Sequence, residues 1–341
     1  MTGFRKWLVG VCILFGLAAL VGHGEAKAGS AANKPETTKL RVGFGSTGGS
    51  MTPLWIAAKK GLFQKHGLDV EIVWARTSVG MAALISGETQ LTLNDGTSAI
   101  QAITGGAPLK IIAYFNKFNP YAIVVRPEIQ RPEDLKGKKV ALLNPGDTTE
   151  ISARMALKSY GMAPGRDYTA LSVGNSPVRL AALLSGSVSA ALLSEAYIDA
   201  AVNNGMRVLV SLQKEKIPYI ATGVTVREDF AERNPSTVIA FLRAMIEGVR
   251  FFADEANRSA SLEIMAKYQR SDPRDKKVLG AYEFYHHRLA ADPFPDKEGA
   301  QTILGALQAI DAARYGKLTA KDVIDSTYME KVRASGFLSG K

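Results

Sequence analysis

The fold is decided by a stretch of sequence that occurs twice: Met81-Ala-Ala-Leu-Ile-Ser-Gly-Glu-Thr-Gln-Leu-Thr-Leu93 returns 99 residues later as Leu180-Ala-Ala-Leu-Leu-Ser-Gly-Ser-Val-Ser-Ala-Ala-Leu192. Six of these thirteen positions are identical, and the same offset superposes 41–45 on 140–144. One offset that holds across a strand and a helix favours a duplication over the chance similarity of Ala- and Leu-rich helices. The chain is therefore expected to contain two related units.

Each unit shows the pattern strand, helix, strand, helix, strand. Apolar alternation and turn residues predict strands at 40–45, 68–74 and 89–94 in the first unit and at 139–143, 168–173 and 188–193 in the second. Further strands are predicted at 109–115, 121–126, 207–212 and 219–226, and helices dominate after Pro235. Strands that alternate with short helices are typical of parallel sheets covered on both faces. The predicted class is α/β.

The N-terminus has the pattern of a secretory signal peptide: two basic residues, an apolar run at 7–21 and the small-x-small site Ala26-Lys27-Ala28. The run is shorter than the roughly 20 residues that span a bilayer as a helix, which disfavours the alternative of a permanent anchor. Cleavage near Ala28 would remove residues 1–28 and with them Cys12, the only cysteine. Disulfides, cysteine-ligated zinc and Cys-x-x-Cys redox chemistry are then excluded.

The net charge is +10, from 42 Lys and Arg against 32 Asp and Glu. It becomes +8 after export, because three basic residues and one acidic residue leave with the signal peptide. A basic chain permits a nucleic-acid interpretation. An exported protein without an interleaved aromatic and basic platform gives that interpretation little support, so we expect no nucleic-acid partner and a weak bias toward anionic ligands.

Small polar residues crowd the loops that follow the predicted strands. They include Ser46, Thr47, Ser50, Thr77, Ser78, Thr97, Thr148, Thr149, Asn175 and Ser176. For any one of them, a helix cap is the commoner role. The carboxyl ends of parallel strands lie beside helix N-termini, whose free N–H groups attract anions. Together these residues predict a polar pocket whose donors need no charged side chain.

Motifs that would indicate catalysis are missing from the sequence: there is no His-Glu-x-x-His, Gly-x-Ser-x-Gly or P-loop pattern. The Gly-x-Gly-x-x-Gly motif at 43–48 is a weak match to a dinucleotide site, because 49–52 separate it from the helix that Pro53 opens. His286 and His287 are adjacent, so on a helix they would point about 100° apart and not share a metal. We expect no enzymatic activity, no cofactor and no metal site.

Several segments resemble the periplasmic substrate-binding proteins of ABC importers, in the class for sulfonates, taurine, nitrate and thiamine-pyrimidine precursors. These segments are Pro53–Val73, Ala83–Gly87, Gly106–Lys110, Pro132–Val140 and Asp229–Pro235. The resemblance implies a two-lobed type II binding-protein fold, in which each lobe is a mostly parallel sheet flanked by helices and the ligand cleft lies between the lobes. It also implies a monomeric periplasmic receptor that closes on a small molecule and delivers it to an ABC permease with its ATPase in the inner membrane.

The resemblance also implies a set of candidate ligand contacts. The ligand loops of the family correspond here to Ser46, Thr47, Ser50, Met51, Thr77, Ser78, Asn94, Asp95, Thr97, Thr148, Thr149 and Glu195. Asp95 and Glu195 occupy nearly equivalent places in the two repeats, so an amine on the ligand becomes plausible if both face the cleft. The expected ligand is a small organic anion or zwitterion that is sulfonate-, carboxylate- or pyrimidine-like.

The predicted strands set the limits of the lobes: 39–126 together with 218–341 form lobe 1, and 127–217 form lobe 2. The hinge would lie near Arg126-Pro127 and Ile217-Pro218. Two alternatives stay open. Pyrimidine-precursor synthases resemble this chain but rely on a cysteine-rich segment, which the exported chain would lack. A periplasmic sensory module predicts a helix-turn-helix or a transmembrane segment, and the exported sequence shows neither.

Overall fold

Two five-stranded sheets carry the fold in the computed structural model, which describes residues 34–295 and 297–339. The strands are β1 (Lys39–Phe44), β2 (Asp69–Trp74), β3 (Leu91–Asn94), β4 (Leu109–Phe118), β5 (Tyr121–Val125), β6 (Lys139–Leu142), β7 (Thr169–Ser172), β8 (Ala190–Ser194), β9 (Arg207–Ser211) and β10 (Pro218–Arg227). Sheet 1 has the order β2-β1-β3-β10-β4, and sheet 2 has the order β7-β6-β8-β5-β9. The predicted signal peptide, with its cleavage site near Ala28, lies outside the described residues.

Helices flank both sheets and make up most of the chain after β10. They are α1 (Thr52–Lys59), α2 (Leu62–Lys65), α3 (Thr77–Ser86), α4 (Gly96–Thr104), α5 (Thr148–Lys158), α6 (Ser176–Leu184), α7 (Glu195–Asn203), α8 (Glu228–Arg233), α9 (Pro235–Ala253), α10 (Arg258–Gln269), α11 (Lys276–Tyr285), α12 (Lys297–Gln308), α13 (Ala312–Tyr315), α14 (Ala320–Val323) and α15 (Thr327–Ala334). None of these helices, within the described part of the chain, has the length and apolar character that crossing a membrane requires.

The two sheets share one topology, as a duplicated sequence should produce. β1 pairs in parallel with β2 and β3, and β6 pairs in parallel with β7 and β8. Each sheet also contains one antiparallel strand, which enters it directly after the chain crosses from the other lobe. β10 pairs with β3 and β4, and β5 pairs with β8 and β9. The predicted two-lobed α/β arrangement is confirmed: each sheet is mostly parallel, with one crossing strand, β10 or β5, antiparallel to the other four.

The structure corrects the first predicted lobe boundary, which placed 121–126 in lobe 1. β5 lies inside sheet 2, so the chain crosses between the lobes at Asn119-Pro120 rather than at Arg126-Pro127. Asn119 is fully buried there, where its side chain accepts a hydrogen bond from the backbone N–H of Tyr121 and donates one to the Ser152 hydroxyl. An apolar strand fits either sheet, and periodicity alone does not identify its pairing partners. The return crossing lies at 212–217, between β9 and β10.

Helices α1 and α9 pack against each other on sheet 1 at short range. The contact depends on Gly248 of α9, where an added Cβ would lie 2.5 Å from the backbone carbonyl oxygen of Pro53 in α1. Trp55, two residues further along α1, is fully buried and stacks on Tyr268 of α10 with 4.9 Å between ring centroids. This packing fixes the position of the loop before α1, which is part of the site described next.

Candidate functional site

A cavity of about 340 Å³ lies between the two lobes, where β1 and β3 of sheet 1 and β8 of sheet 2 end. The residues that line it come from the loop after β1, the start of each crossing strand, the first turns of α5 and α7, and the helices α10 and α11. They are Gly45, Ser46, Thr47, Gly48, Gly49, Ser50, Met51, Leu93, Asn94, Asp95, Pro120, Tyr121, Thr148, Ser194, Glu195, Ala196, Tyr197, Tyr219, Ala221, Gln269, Lys277, Ala281 and Tyr285.

The loop 45–51 forms one wall of the cavity. The Gly48 N–H donates to the Ser46 hydroxyl oxygen at 2.9 Å, and the Thr52 hydroxyl donates to the carbonyl oxygen of Gly49 at 2.6 Å. A Cβ added to Gly49 would lie 2.6 Å from the Tyr285 ring, so glycine is what allows α11 to approach this loop. The loop thus reaches the cavity with its hydroxyls while its backbone supports α11.

Asp95 joins the two lobes across the cleft. It caps α4 by accepting hydrogen bonds from the Ser98 N–H at 3.1 Å and the Ser98 hydroxyl at 2.6 Å. The Thr148 hydroxyl, from lobe 2, donates to Asp95 Oδ1 at 2.8 Å. A second cross-cleft bond runs from Gln101 Nε2 to the Gly146 carbonyl oxygen at 2.8 Å. The hydrogen bonds from Ser98 and Thr148 together occupy both oxygens of the Asp95 carboxylate.

Buried tyrosine hydroxyls supply neutral polar groups. The Tyr219 hydroxyl lies 2.7 Å from Thr97 Oγ1, and burial together with the nearby Asp95 charge raises the pKa of Tyr219 well above its usual range. Burial also raises the pKa of Tyr121, against the opposing effect of Arg179. Both hydroxyls therefore stay protonated at physiological pH and can act as hydrogen-bond donors or acceptors.

Glu195 is the second carboxylate of the cavity. It begins α7, and burial raises its pKa above the ordinary value, while hydrogen bonding with Tyr285 opposes that shift. Burial and the Glu195 charge raise the pKa of Tyr285 in turn. A desolvated carboxylate of this kind gains from a cationic partner more than an exposed one does. Glu195 is therefore the carboxylate better placed to meet a positively charged ligand group.

Lys277 brings a positive charge to the cavity from the first turn of α11. Its Nζ atom lies 5.8 Å from the centroid of the Tyr197 ring in α7, a cation–π arrangement that spans the cleft. Sequence reasoning did not predict Lys277, nor the cavity residues Tyr121, Tyr219, Gln269 and Tyr285. Lys277, Gln269 and Tyr285 lie outside the repeat, and no motif marks them.

A buried arginine lies behind the lobe 2 wall. Arg179 of α6 is 2% exposed and donates to three neutral oxygens: Leu192 O at 2.6 Å, Gly174 O at 2.7 Å and Ser176 Oγ at 2.9 Å. Ser176 Oγ also accepts from the Ser194 N–H at 3.4 Å and lies 3.3 Å from Ser194 Oγ. Because two N–H groups already point at Ser176 Oγ, its own proton goes to Ser194. The Ser194 hydroxyl is left free to donate into the cavity.

The cavity brings together eight of the predicted site residues. These are Ser46, Thr47, Ser50, Met51, Asn94, Asp95, Thr148 and Glu195. Ser78, Thr97, Thr149 and Ser176 are not among the lining residues. Thr149 donates its hydroxyl proton to Asp147 at 2.6 Å at the start of α5, whereas Thr97 and Ser176 stand directly behind Tyr219 and Ser194. Thr77 begins α3, and its side chain lies outside the described residues.

The adjacent histidines are arranged differently from the sequence-based expectation. α11 ends at Tyr285, so His286 and His287 lie in the turn that follows it. Their ring centroids are 3.8 Å apart, and one nitrogen of each lies within 4.0 Å of the same Glu255 oxygen. The expectation that the two imidazoles point about 100° apart is therefore wrong, since both rings turn toward Glu255.

The NMT1/THI5-like family model matches residues 49–258, more than half of the chain. The taurine-binding periplasmic protein of Escherichia coli is 30% identical over 207 residues, which cover 58% of this chain and 62% of that protein. The nitrate/nitrite-binding protein NrtA of Synechocystis is 27% identical over 266 residues, which cover 69% of this chain and 58% of that protein. The matches thus span about three fifths of the length of these two relatives.

Solved structures share the fold at lower sequence identity. The periplasmic sulfonate-binding protein SsuA from Methylobacillus flagellatus superposes with a TM-score of 0.72 at 20% identity, over 89% of this chain and 96% of that one. The nitrate-binding protein NrtA from Synechocystis gives a TM-score of 0.64 at 19% identity, over 89% of this chain and 90% of that one. These likenesses confirm the predicted binding-protein fold.

Proposed function

Because the chain belongs to the NMT1/THI5-like family, we propose that it is a periplasmic receptor that captures a small organic anion or zwitterion by hinge closure. It then delivers the ligand to an ABC permease with its ATPase. The observation that carries the proposal is the cavity between the lobes, which both sheets and α11 line. A site built from two lobes can couple ligand binding to the angle between them. The taurine-, nitrate- and sulfonate-binding relatives support this ligand class, since all three ligands carry an anionic group.

An anionic group is favoured on the lobe 2 side of the cavity. Ser194, the N-cap of α7, makes no side-chain capping bond, and the Glu195 N–H faces the carboxylate of its own side chain, so the N–H groups of Ala196 and Tyr197 are left for a ligand. The Ser194 hydroxyl is oriented as a donor through Ser176 and Arg179. The positive charges of Arg179 behind this wall and of Lys277 across the cleft also favour an anionic group here.

A cationic group is favoured beside Glu195 at the C-terminal ends of α10 and α11, away from Lys277 in the first turn of α11. The Glu195 carboxylate and the Tyr285 hydroxyl interact there, and Gln269 Oε1 is a buried acceptor that lacks a hydrogen-bond partner among the described residues. An ammonium group would donate to both the Glu195 carboxylate and Gln269 Oε1, since a Lys-like ammonium donates three hydrogen bonds and accepts none. Together with the anion site, this arrangement favours an aminosulfonate or an amino acid over a plain anion.

A thermal-shift screen tests the proposal. We expect the purified protein to be stabilised by one class among alkanesulfonates, taurine, carboxylates, aminopyrimidines and nitrate, because a ligand that binds only the folded state raises the midpoint by mass action. Glu195→Gln should weaken taurine binding by roughly 10–100-fold, the value of a charged hydrogen bond, and leave ethanesulfonate affinity nearly unchanged. A flat response to every class would contradict the receptor proposal. An equal loss for taurine and ethanesulfonate would contradict the amine subsite alone.

Lobe closure can be tested with a substitution at a residue that does not line the cavity. Gln101→Ala removes the cross-cleft bond to the Gly146 carbonyl, which is worth about 1 kcal/mol, so we expect ligand affinity to fall about fivefold. Small-angle scattering should show a larger radius of gyration for the ligand-free variant than for the wild type, and equal radii at saturating ligand. Gln308→Ala, which removes the amide bonds to the Tyr315 and Leu318 carbonyl oxygens away from the cleft, is the control. Wild-type scattering that ligand leaves unchanged would argue against closure.

A further inference from the structure

We propose that Glu255, His286 and His287 form a binding site for a divalent transition-metal ion such as Zn²⁺, separate from the ligand cavity. One donor atom from each of these side chains lies within 4.8 Å of the other two. Two imidazoles and a carboxylate are a set that zinc uses where it keeps one coordination position open for water. Glu255 belongs to the turn between α9 and α10, and the histidines follow α11, so the ion would join two segments that are about 30 residues apart in sequence.

The tautomer of His286 leaves its Nε2 atom free to bind a metal ion. Its Nδ1 lies 3.0 Å from the carbonyl oxygen of Tyr282, and because a carbonyl only accepts, Nδ1 carries a proton. Nε2 is then the nitrogen that faces Glu255 Oε1 at 3.0 Å. In a neutral imidazole, the Nε2 lone pair then points at a carboxylate oxygen, and the two repel each other. A cation bound between them would remove this repulsion. A backbone carbonyl behind the ring is also the arrangement that orients zinc-binding histidines.

The spacing of the donor atoms suits a tetrahedral ion. With metal–ligand bonds of about 2.0–2.1 Å, neighbouring donors stand roughly 3.3 Å apart. The Nε2 atoms of His286 and His287 lie 3.0 and 3.7 Å from Glu255 Oε1, two separations that bracket that value, and the two imidazole donors lie within 4.8 Å of each other. His286 is buried, whereas His287 and Glu255 are more than half exposed. A hydrated ion can therefore reach the site, and one ligand is already held in place by packing.

The occupant that competes with a metal is a proton. An imidazolium at His286 would donate to Glu255 and satisfy the same geometry without any ion. Other charges lie close by: Arg258 stands 5.0 Å from the Tyr282 ring that stacks on His286, and it is paired with Glu283. The experiment must therefore separate a metal site from an imidazolium–carboxylate pair.

Calorimetric titration of the tag-free protein with ZnCl₂ at pH 7.5 makes this separation. We expect one ion per chain. Glu255→Gln and His287→Ala should each weaken binding by more than about tenfold, since the loss of even an outer-shell partner costs 10–100-fold. His66→Gln is the matched control, because His66 Nε2 faces Glu247 at 3.3 Å outside the proposed site, and it should bind zinc as the wild type does.

X-ray absorption at the zinc edge gives a second readout, in which two imidazoles per ion are expected for the wild type and one for His287→Ala. Wild-type and Glu255→Gln titrations that superimpose would overturn the proposal, and so would a stoichiometry near zero. The imidazolium–carboxylate pair would then be the correct description of the cluster. Loss of binding in His66→Gln would also overturn it by locating the zinc elsewhere.

Discussion

Replacing Gly248 with alanine should destabilise the protein by about 2–3 kcal/mol, although alanine is the better helix former. The added Cβ would lie 2.5 Å from the Pro53 carbonyl oxygen and 3.2 Å from its carbonyl carbon. These are backbone atoms, which cannot rotate away as a flexible side chain would. Helices α1 and α9 would have to separate, and the buried ring of Trp55 would lose part of its packing.

The matched control is Gly305→Ala in α12, where an added Cβ meets nothing within 4 Å. This substitution should stabilise the protein by about 0.5–1 kcal/mol through helix propensity alone. Calorimetric unfolding of the two variants beside the wild type measures the difference. The same chemical change should therefore have opposite signs at two helix interiors. Equal effects at both positions would mean that the α1–α9 contact relaxes without cost.

The duplicated sequence was sufficient to predict the six strands of the two repeated units. β1, β2, β3, β6, β7 and β8 all lie within a few residues of their predicted positions, because alternation, capping residues and glycines all mark their ends. Asp147 caps α5 by accepting from the N–H groups of Thr149 and Glu150, and its Asp-x-x-Glu sequence is a pattern typical of a helix N-terminus. Pairing of the crossing strands was not predictable, because β5 and β10 have the apolar composition of a core strand in either sheet.

Residues of the candidate site were predicted only in the loops that belong to the two repeated units. Loops after β1, β3 and β8 supply most of the predicted residues that line the cavity, whereas Lys277 and Tyr285 arrive from helices with no counterpart in the other half. One signal could have found two of the missed residues. Pro120-Tyr121 and Pro218-Tyr219 stand at the starts of the two crossing strands, and both tyrosines line the cavity. A hydroxyl-bearing residue that recurs at each crossing is therefore informative.

Replacing Arg179 with methionine should weaken the binding of an anionic ligand by roughly 30-fold or more, although Arg179 does not line the cavity. The guanidinium is buried and donates only to neutral oxygens, so its charge is not consumed by a paired carboxylate. Methionine also releases Ser176, whose hydroxyl then no longer has to donate to Ser194. The ligand would lose both a nearby positive charge and an oriented donor.

Arg179→Met should also lower stability by about 2–3 kcal/mol, because the carbonyl oxygens of Leu192 and Gly174 lose their donor in a buried place. Arg179→Lys separates the two effects. Lysine keeps the charge but not the planar fork of donors, so its loss of stability should approach that of methionine while the anion affinity falls much less. Affinity measured at two salt concentrations, with folding checked by thermal unfolding, completes the comparison.

The pair of variants distinguishes an electrostatic role from a merely structural one. If the charge attracts the ligand, affinity for a sulfonate should follow the order wild type, lysine, methionine, and its salt dependence should shrink only in the methionine variant. If Arg179 only supports the loops of lobe 2, the lysine and methionine variants should lose affinity together with stability and to the same extent. The arginine would then have no part in anion selection, and the α7 N-terminus with Lys277 would have to account for it.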